Sequence, residues 1–334
     1  MKNNIKQFCF PTSAKEAASL INRLKSKAVV VAGGTRLSRA LLPTVETVVD
    51  LADLPLKHIA ADKKWLRIGA LCSVAELEKS SLLGKWACGV IVKAASHWSN
   101  ALARSMGTVG GNVARAHPHN NLPPVFLALD AVAVCTDGRR EIIIPFAQLL
   151  EPGLMRELGT RDIVIEVRVP AETRTWSCAC ARLVLTKTSW EAYTNCVVAV
   201  EQEDGAVRRA SVVIGSVLPR AVRLGKAEAA LIGRSCGEAA ACAAETAAAA
   251  ELQSLTTGAP AKAYACRTSG VLVRRCLLEA FQGGGERNGQ GQGTRRLAGG
   301  GRQDRHLRQH QRPGAGLDGG PGRVPARRPA PGRL

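Results

Sequence analysis

Two glycine-rich stretches stand apart from the rest of this chain, "AGGTRL" at residues 32–37 and "GTVGGN" at residues 107–112. Consecutive small residues let backbone N–H groups converge on one point, and Thr35 and Thr108 add hydroxyls while Asn112 adds an amide. Such a surface suits a phosphate, because unpaired donors and the positive end of a helix dipole point at the same spot. Neither stretch follows G-x-G-x-x-G and neither carries the lysine of a Walker A loop, which disfavours a Rossmann dinucleotide and a P-loop nucleotide. One such cluster alone reads as a tight turn. Two clusters 75 residues apart suit a pyrophosphate, which has two phosphates to hold.

Metal chemistry is not expected. The eleven cysteines have no paired rhythm, and Cys178 and Cys180, the closest two, are separated by a single residue, which suits neither a zinc knuckle nor an iron–sulfur site. His117 and His119 flank Pro118 as an i, i+2 pair without a third ligand nearby, so a solvated or ligand-contacting loop is preferred over a metal site.

The elements that would position these residues are legible. Pro11, Ser13 and Glu16 predict a capping box opening a helix with Ala17, Leu20, Ile21 and Leu24 on one face. "AVVVAGG" then reads as a buried strand ending at Gly33 and Gly34, with the helix-compatible "TRLSRALL" after it. "ETVVDL" and "LRIGA" are further strands, and Ser73 with Glu76 opens a second capped helix. A helical pattern over Lys85–Leu102 runs into the second glycine stretch, and prolines 118, 123 and 124 predict irregular chain beyond it. Strands follow at "AVAVC", "EIIIPF" and "DIVIEVRVP", completing one α/β unit by about residue 170. From near Thr175, "CARLVLTK", "CVVAVEQ" and "VRRASVVIGSV" read as strands. An alanine-rich helix over Lys226–Leu252 and a last helix over Ala261–Phe281 complete a second, α+β unit.

The 334 residues and 46% apolar content allow a real core. The formal net charge of +19 would suggest a nucleic-acid or anionic-membrane partner if it were spread evenly. It is not. Residues 283–334 hold eleven arginines, no lysine and three acids, a net +8, which leaves +11 on the other 282 residues. That tail has almost no apolar residues and is expected to be disordered. Its Arg/Gly/Pro/Gln composition fits out-of-frame translation of GC-rich DNA, or an RGG-like arm, although it lacks the aromatics such arms use for stacking. No apolar run is long enough for a signal peptide or a membrane span, so a soluble, cytoplasmic protein is expected.

In order and spacing, "VVAGGTRL", "VVDLADL", "LRIGALCSVAEL" and "ARSMGTVGGNVARAHPHNNLPPVFLALDAVAV" resemble the FAD-binding (medium) subunit of molybdenum hydroxylases, the xanthine dehydrogenase and carbon monoxide dehydrogenase type. "TKTSWEAYTNCVVAVE" and "AYACRTSGVLVRRCLLEAF" are similar to that family's C-terminal domain, so the resemblance spans residues 5 to about 282. It implies an α+β fold. A two-subdomain, PCMH-like FAD-binding domain would occupy residues 1–170, split near residue 55, followed by a small α+β domain over 175–282 and the tail 283–334.

The resemblance also implies the site. The FAD pyrophosphate would lie on Ala32, Gly33, Gly34, Thr35, Arg36 and Leu37 from one loop and on Gly107, Thr108, Gly110, Gly111 and Asn112 from the other, with Asn121 and Lys187 nearer the flavin. Trp190 falls in the same flavin-approaching segment as Lys187, which could stabilise an anionic reduced flavin. The chain departs from the family in three places: Arg36 stands where an acid is common, Ser105 where Asn is frequent, and Asn121 where an Asp is usual. Asn keeps the hydrogen-bond acceptor and loses the charge, so FAD binding is expected to survive with altered affinity or potential. Arg115 lies on the same segment and reads as an exposed arginine within reach of phosphate.

In that family, substrate is oxidised at a molybdenum centre in a large subunit and electrons cross two 2Fe–2S clusters in a small one. This chain has ligands for neither. The implied role is that of an oxidoreductase component, an electron-transfer flavoprotein subunit taking electrons from a partner's clusters and passing them to NAD or another acceptor. A molybdopterin-binding subunit and a 2Fe–2S subunit are the expected partners, with no nucleic acid and no membrane insertion. The alternatives are a free-standing FAD oxidase or reductase of the same fold and, from another class, a basic nucleic-acid-binding protein.

Overall fold

The computed structural model describes residues 4–35, 44–151, 162–186, 189, 191–257 and 262–285. The helix expected at "TRLSRALL" and the tail from residue 286 lie largely or wholly outside them.

The β-branched run after the first helix does form a strand. Strands β1 (Gln7–Cys9), β2 (Ala28–Val31) and β3 (Thr47–Asp50) make a parallel sheet in the order β1-β3-β2. Helix α1 (Ala14–Leu24) buries Ala17, Ala18 and Ile21 against Val49, Leu51, Leu54, Leu71 and Ile163. Its cap is only half of the expected box. Ser13 accepts from the Glu16 N–H at 3.1 Å, but the Glu16 carboxylate turns to Thr12, accepting from its N–H at 2.8 Å and its hydroxyl at 2.9 Å.

A five-stranded antiparallel sheet follows, built from β4 (Ile59–Ala61), β5 (Trp65–Gly69), β6 (Val132–Thr136), β7 (Glu141–Pro145) and β8 (Ile163–Pro170) in the order β4-β5-β8-β6-β7. The helices between β5 and β6 are short: α2 (Val74–Lys79), α3 (Ser81–Gly84), α4 (Val90–Ser96), α5 (Ala101–Met106), α6 (Val109–Ala114) and α7 (Leu122–Ala128), with α8 (Phe146–Leu149) after β7. The Ser73–Glu76 capping box is complete.

Two expectations in this stretch are corrected. The helical pattern over Lys85–Leu102 breaks into a 3-10 turn (Ala87–Gly89), α4 and the start of α5, because Cys88 takes φ 55° and Ser99 φ 48°, and Asn100 recaps the chain by accepting from the Ala103 N–H at 2.8 Å. Pro123 and Pro124 do not enforce irregular chain. They occupy the first turn of α7, where an imide lacking N–H costs nothing, and both are buried. Pro118 alone sits in the loop.

The third sheet is antiparallel, β12-β11-β10-β9, from β9 (Ser177–Val184), β10 (Ala192–Glu203), β11 (Ala206–Gly215) and β12 (Val222–Arg223). Period-2 alternation gives it two apolar faces. Cys178, Cys180, Val197, Ala199 and Val213 join the core beneath the helices α2–α7. Ala179, Cys196, Val198, Val200, Val212 and Ile214 form a second core with α9 (Gly225–Ala229), α10 (Glu238–Leu255) and α11 (Ala263–Gly285). The expected single helix over Lys226–Leu252 is interrupted at Gly233, which takes φ 75°, a left-handed conformation that glycine adopts readily. The last helix runs beyond Phe281 to Gly285.

One buried charge ties the second sheet together. Glu166 on β8 accepts from His58 at 2.7 Å, Arg67 at 3.0 Å and Arg168 at 2.5 Å. Burial alone would raise its pKa, and the hydrogen bonds from Arg168, Arg67 and His58 overcome that and hold it below the ordinary glutamate value. A lowered folded pKa contributes stability at neutral pH that is lost as pH falls through the folded value. Glu166→Gln is expected to cost about 2 kcal/mol at pH 7, by leaving two arginines without their counter-charge. In denaturant titrations the variant should also lose less stability than the parent on acidification.

Candidate functional site

The two glycine stretches, far apart in sequence, meet in space. Gly33 follows β2, and a Cβ placed on it would lie 1.7 Å from the Met106 carbonyl oxygen and 3.3 Å from the Gly107 Cα. Only a residue without a side chain allows this backbone-on-backbone approach. Gly34 takes φ 65°, in the left-handed region. Among the described residues, the backbone N–H groups of Gly33, Gly34 and Thr35 make no hydrogen bond to the protein. Successive free N–H groups around a left-handed residue form a concave anion nest.

The second stretch is used differently from the expectation. The N–H of Val109 goes to the Cys72 carbonyl at 2.9 Å, that of Gly110 to Ala70 at 2.7 Å, that of Gly111 to the Thr108 hydroxyl at 3.2 Å, and that of Asn112 to the Thr108 carbonyl at 3.0 Å. All but the Thr108 N–H are consumed, because α6 starts here and hangs on the β5–α2 junction. Its glycines serve close packing instead. A Cβ on Gly107 would meet the Trp98 ring at 2.2 Å, and one on Gly110 would meet the Ala70 Cβ at 2.8 Å. Among the described residues, the unpaired backbone donors of the cradle are therefore mostly those of the first loop, with the Thr108 N–H left over from the second, which otherwise supplies its wall.

Beyond that wall lies a series of buried amides. Asn112 is 6% exposed and its Oδ1 has no hydrogen-bond partner. Asn120 Nδ2 donates to the carbonyls of Asn112 and Arg115, both at 3.1 Å, and so fastens the next loop to the glycine stretch. Asn121, also 6% exposed, donates Nδ2 to the Ala94 carbonyl at 3.4 Å and leaves Oδ1 without a partner. Asn195 on β10 is 4% exposed, and neither its Oδ1 nor its Nδ2 has a partner. A buried polar atom left unsatisfied costs roughly 1–3 kcal/mol, so three such amides on adjoining segments call for a polar partner, a ligand or an ordered water.

Asn121 and Asn195 line one pocket with Ala94, His97 and Arg182. Arg182 reaches the Ser189 carbonyl at 2.9 Å and the His97 carbonyl, and burial lowers its pKa. Burial, then Arg182 and Lys93, push the His97 pKa down, which favours a neutral imidazole. The loop over Arg115–Asn121 is pinned to the third sheet: Ser216 donates its N–H and hydroxyl to the Pro118 carbonyl at 3.0 and 3.3 Å, and the Ala192 N–H reaches His119 Nδ1 at 3.4 Å.

The remaining site candidates are placed as follows. Thr35 and Gly111 are exposed beside the cradle, Ala32 is half-buried, and Arg115 is exposed. Ser105 is exposed and its hydroxyl donates to the Leu102 carbonyl at 2.8 Å. The His117 and His119 rings lie 5.3 Å apart, and no group of metal-ligating side chains occurs among the described residues. Arg36, Leu37, Lys187 and Trp190 lie outside the described residues. Asn195 escaped the sequence reading, because it stands directly before the apolar run "CVVAV" and after Thr194, where the local pattern does not mark it.

These features fit FAD: a nest for an anion, glycines that admit close approach, and orphaned amides beyond it. The comparisons agree. Residues 3–172 match the FAD binding domain in molybdopterin dehydrogenase, and residues 188–280 match the CO dehydrogenase flavoprotein C-terminal domain. The chain therefore belongs to the family of FAD-binding subunits of molybdenum-containing hydroxylases, and it is an oxidoreductase component whose cofactor is FAD. It is 26% identical to the carbon monoxide dehydrogenase medium chain of Hydrogenophaga pseudoflava over 81% of this chain and 95% of that one. It is 24% identical to the caffeine dehydrogenase subunit beta of Pseudomonas sp. strain CBB1, over 71% and 81%. The solved carbon monoxide dehydrogenase of Hydrogenophaga pseudoflava superimposes with a TM-score of 0.73 at 26% identity, over 84% of this chain and 99% of that chain. Quinoline 2-oxidoreductase from Pseudomonas putida 86 shares the fold, with a TM-score of 0.74 at 20% identity.

Proposed function

We propose that this chain is the electron-transfer flavoprotein subunit of a molybdopterin-dependent dehydrogenase, with an FAD-binding domain over residues 1–170 and a small C-terminal domain over 175–282. Its partners are a molybdopterin-binding large subunit and a 2Fe–2S small subunit. The observation that carries this reading is the contact of Gly33 with the Met106 carbonyl, which makes one cradle of the two glycine stretches. FAD, when bound, supplies the redox chemistry that joins one-electron donors to a two-electron acceptor.

The chain's own residues bind and orient. Gly33, Gly34 and Thr35 present backbone N–H groups to the pyrophosphate, with Ala32, Arg36 and Leu37 on the same loop. Gly107, Thr108, Gly110, Gly111 and Asn112 form the opposing wall. Asn121 and Lys187 act nearer the ring. NAD is the proposed acceptor, with another acceptor as the alternative, and the oxidised substrate, of xanthine type or otherwise, is selected in the large subunit.

Titration of the purified full-length chain with FAD is expected to give a yellow complex that saturates at one FAD per chain and releases its flavin on denaturation. Flavin retained on the denatured polypeptide would instead indicate a free-standing oxidase with a linked cofactor. A colourless protein with salt-sensitive DNA binding would overturn the reading in favour of a nucleic-acid-binding protein. Copurification with iron–sulfur and molybdopterin subunits tests the assembly.

A further inference from the structure

The connection from β9 to β10 runs over residues 185–191, "LTKTSWE", and carries Lys187 and Trp190. A two-residue hairpin turn fixes its own geometry through glycine or asparagine in left-handed conformations. This longer connection contains neither residue, so its shape depends on what holds it. The Ser189 N–H closes a turn on the Thr186 carbonyl at 3.0 Å, and the Ser189 hydroxyl donates to the Glu191 carbonyl at 2.9 Å. Where the connection ends, the Ala192 N–H reaches His119 Nδ1 at 3.4 Å. The remaining hold is Arg182, whose Nη2 donates to the Ser189 carbonyl at 2.9 Å.

Arg182 also reaches beyond its own sheet. It shares a face of β9 with Cys178 and Cys180, which pack into the core beneath α2–α7, and beside it in the sheet stand Asn195 and then Gly215. Alternation therefore turns its side chain to the FAD-binding domain. There Nη1 donates to the carbonyl of His97, the residue that ends α4. A helix C-terminus leaves carbonyls without intrahelical partners and attracts a cation. Burial opposes the charge and lowers the arginine's pKa, and two hydrogen bonds from one planar fork offset that cost. A single guanidinium thus joins a carbonyl of the FAD-binding domain to a carbonyl of the β9–β10 connection.

We infer that Arg182 is a positioning residue for the cofactor site: it ties the segment bearing Lys187 and Trp190 to the end of α4, and so sets how Lys187 meets the flavin. This rests on the reading above that FAD binds here with Lys187 near its ring. It gives the C-terminal sheet a share in tuning the cofactor without touching it.

The test is a double-variant cycle on the FAD-loaded full-length chain, read by the midpoint potential, which records how much more tightly the chain holds reduced than oxidised flavin. Lys187→Met should reduce that preference about tenfold, a shift of about 30 mV for a two-electron couple. Arg182→Lys keeps the charge but loses the planar fork that serves two carbonyls, and should reduce the preference about threefold. The double variant should match Lys187→Met alone, because the arginine acts through the lysine's segment. A potential unchanged in Arg182→Lys, or two shifts that simply add, overturns the inference, since charge alone or stability alone would give those results. Amide exchange in the unaltered chain needs no substitution, so a poorly folded variant does not protect the inference. The Ser189 and Ala192 N–H groups should exchange at least about tenfold more slowly than in an unstructured peptide, and peptide-like rates overturn the inference. A chain that binds no FAD, or a Lys187→Met variant whose potential matches the parent's, overturns the underlying reading instead.

Discussion

Gly33→Ala is expected to weaken FAD binding about a hundredfold and to lower stability by about 3 kcal/mol. The new Cβ would fall 1.7 Å from the Met106 carbonyl oxygen and 2.6 Å from its carbon, positions no real contact occupies. Those atoms are backbone, fixed at the end of α5 where the Gly107 N–H holds the Ala103 carbonyl at 2.8 Å, so no side chain can swing aside. The two loops must separate, and the wall of the cradle moves away from its donors. Gly225→Ala is the control, since a Cβ there meets nothing within 4 Å and φ is not in the left-handed region. It should leave FAD affinity unchanged. Flavin fluorescence titration and thermal melts measure both quantities, and equal affinities for the two variants would show that the contact between the glycine stretches does not build the site.

Asn121→Asp is expected to lower the midpoint potential of the bound flavin, by a shift on the order of 30 mV, equivalent to tenfold in a two-electron equilibrium. Asn121 is 6% exposed, lines the pocket and leaves its Oδ1 without a partner, so the substitution adds charge without adding bulk. A carboxylate beside the ring opposes electron uptake, and low local polarity keeps that effect from being screened. Arg182, on the same pocket, offsets part of it. The substitution also places an oxygen against the Ala94 carbonyl, which now accepts from Nδ2 at 3.4 Å, so affinity should change as well. Spectroelectrochemistry reads the potential. A value and an affinity identical to the parent's would place residue 121 away from the flavin.

How much of this was legible beforehand follows from which interactions are local. The Ser73–Glu76 cap, the alternating strands and the β-branched run before Gly33 were readable because each depends on neighbours a few residues away. The same local reasoning failed where two local signals competed and the other one won. Glu16 found Thr12 instead of Ser13, Ser99 and Asn100 broke a helix whose apolar pattern continued through them, and Pro123 and Pro124 began a buried helix.

The sequence by itself determined that there were two glycine stretches with adjoining hydroxyls and amides, and that neither was a Rossmann or P-loop fingerprint. Family resemblance then named their ligand. Only the tertiary structure decided that Gly33 abuts Met106, that the second stretch hangs on the β5–α2 junction through the Val109 and Gly110 N–H groups, and that three successive backbone donors without a partner among the described residues lie in the first. It also brought Asn195 from a strand more than seventy residues away to the pocket of Asn121. The reason is physical: glycine content records where close approach is permitted, whereas the partner, and whether a donor is already engaged, depend on which distant segment packs there.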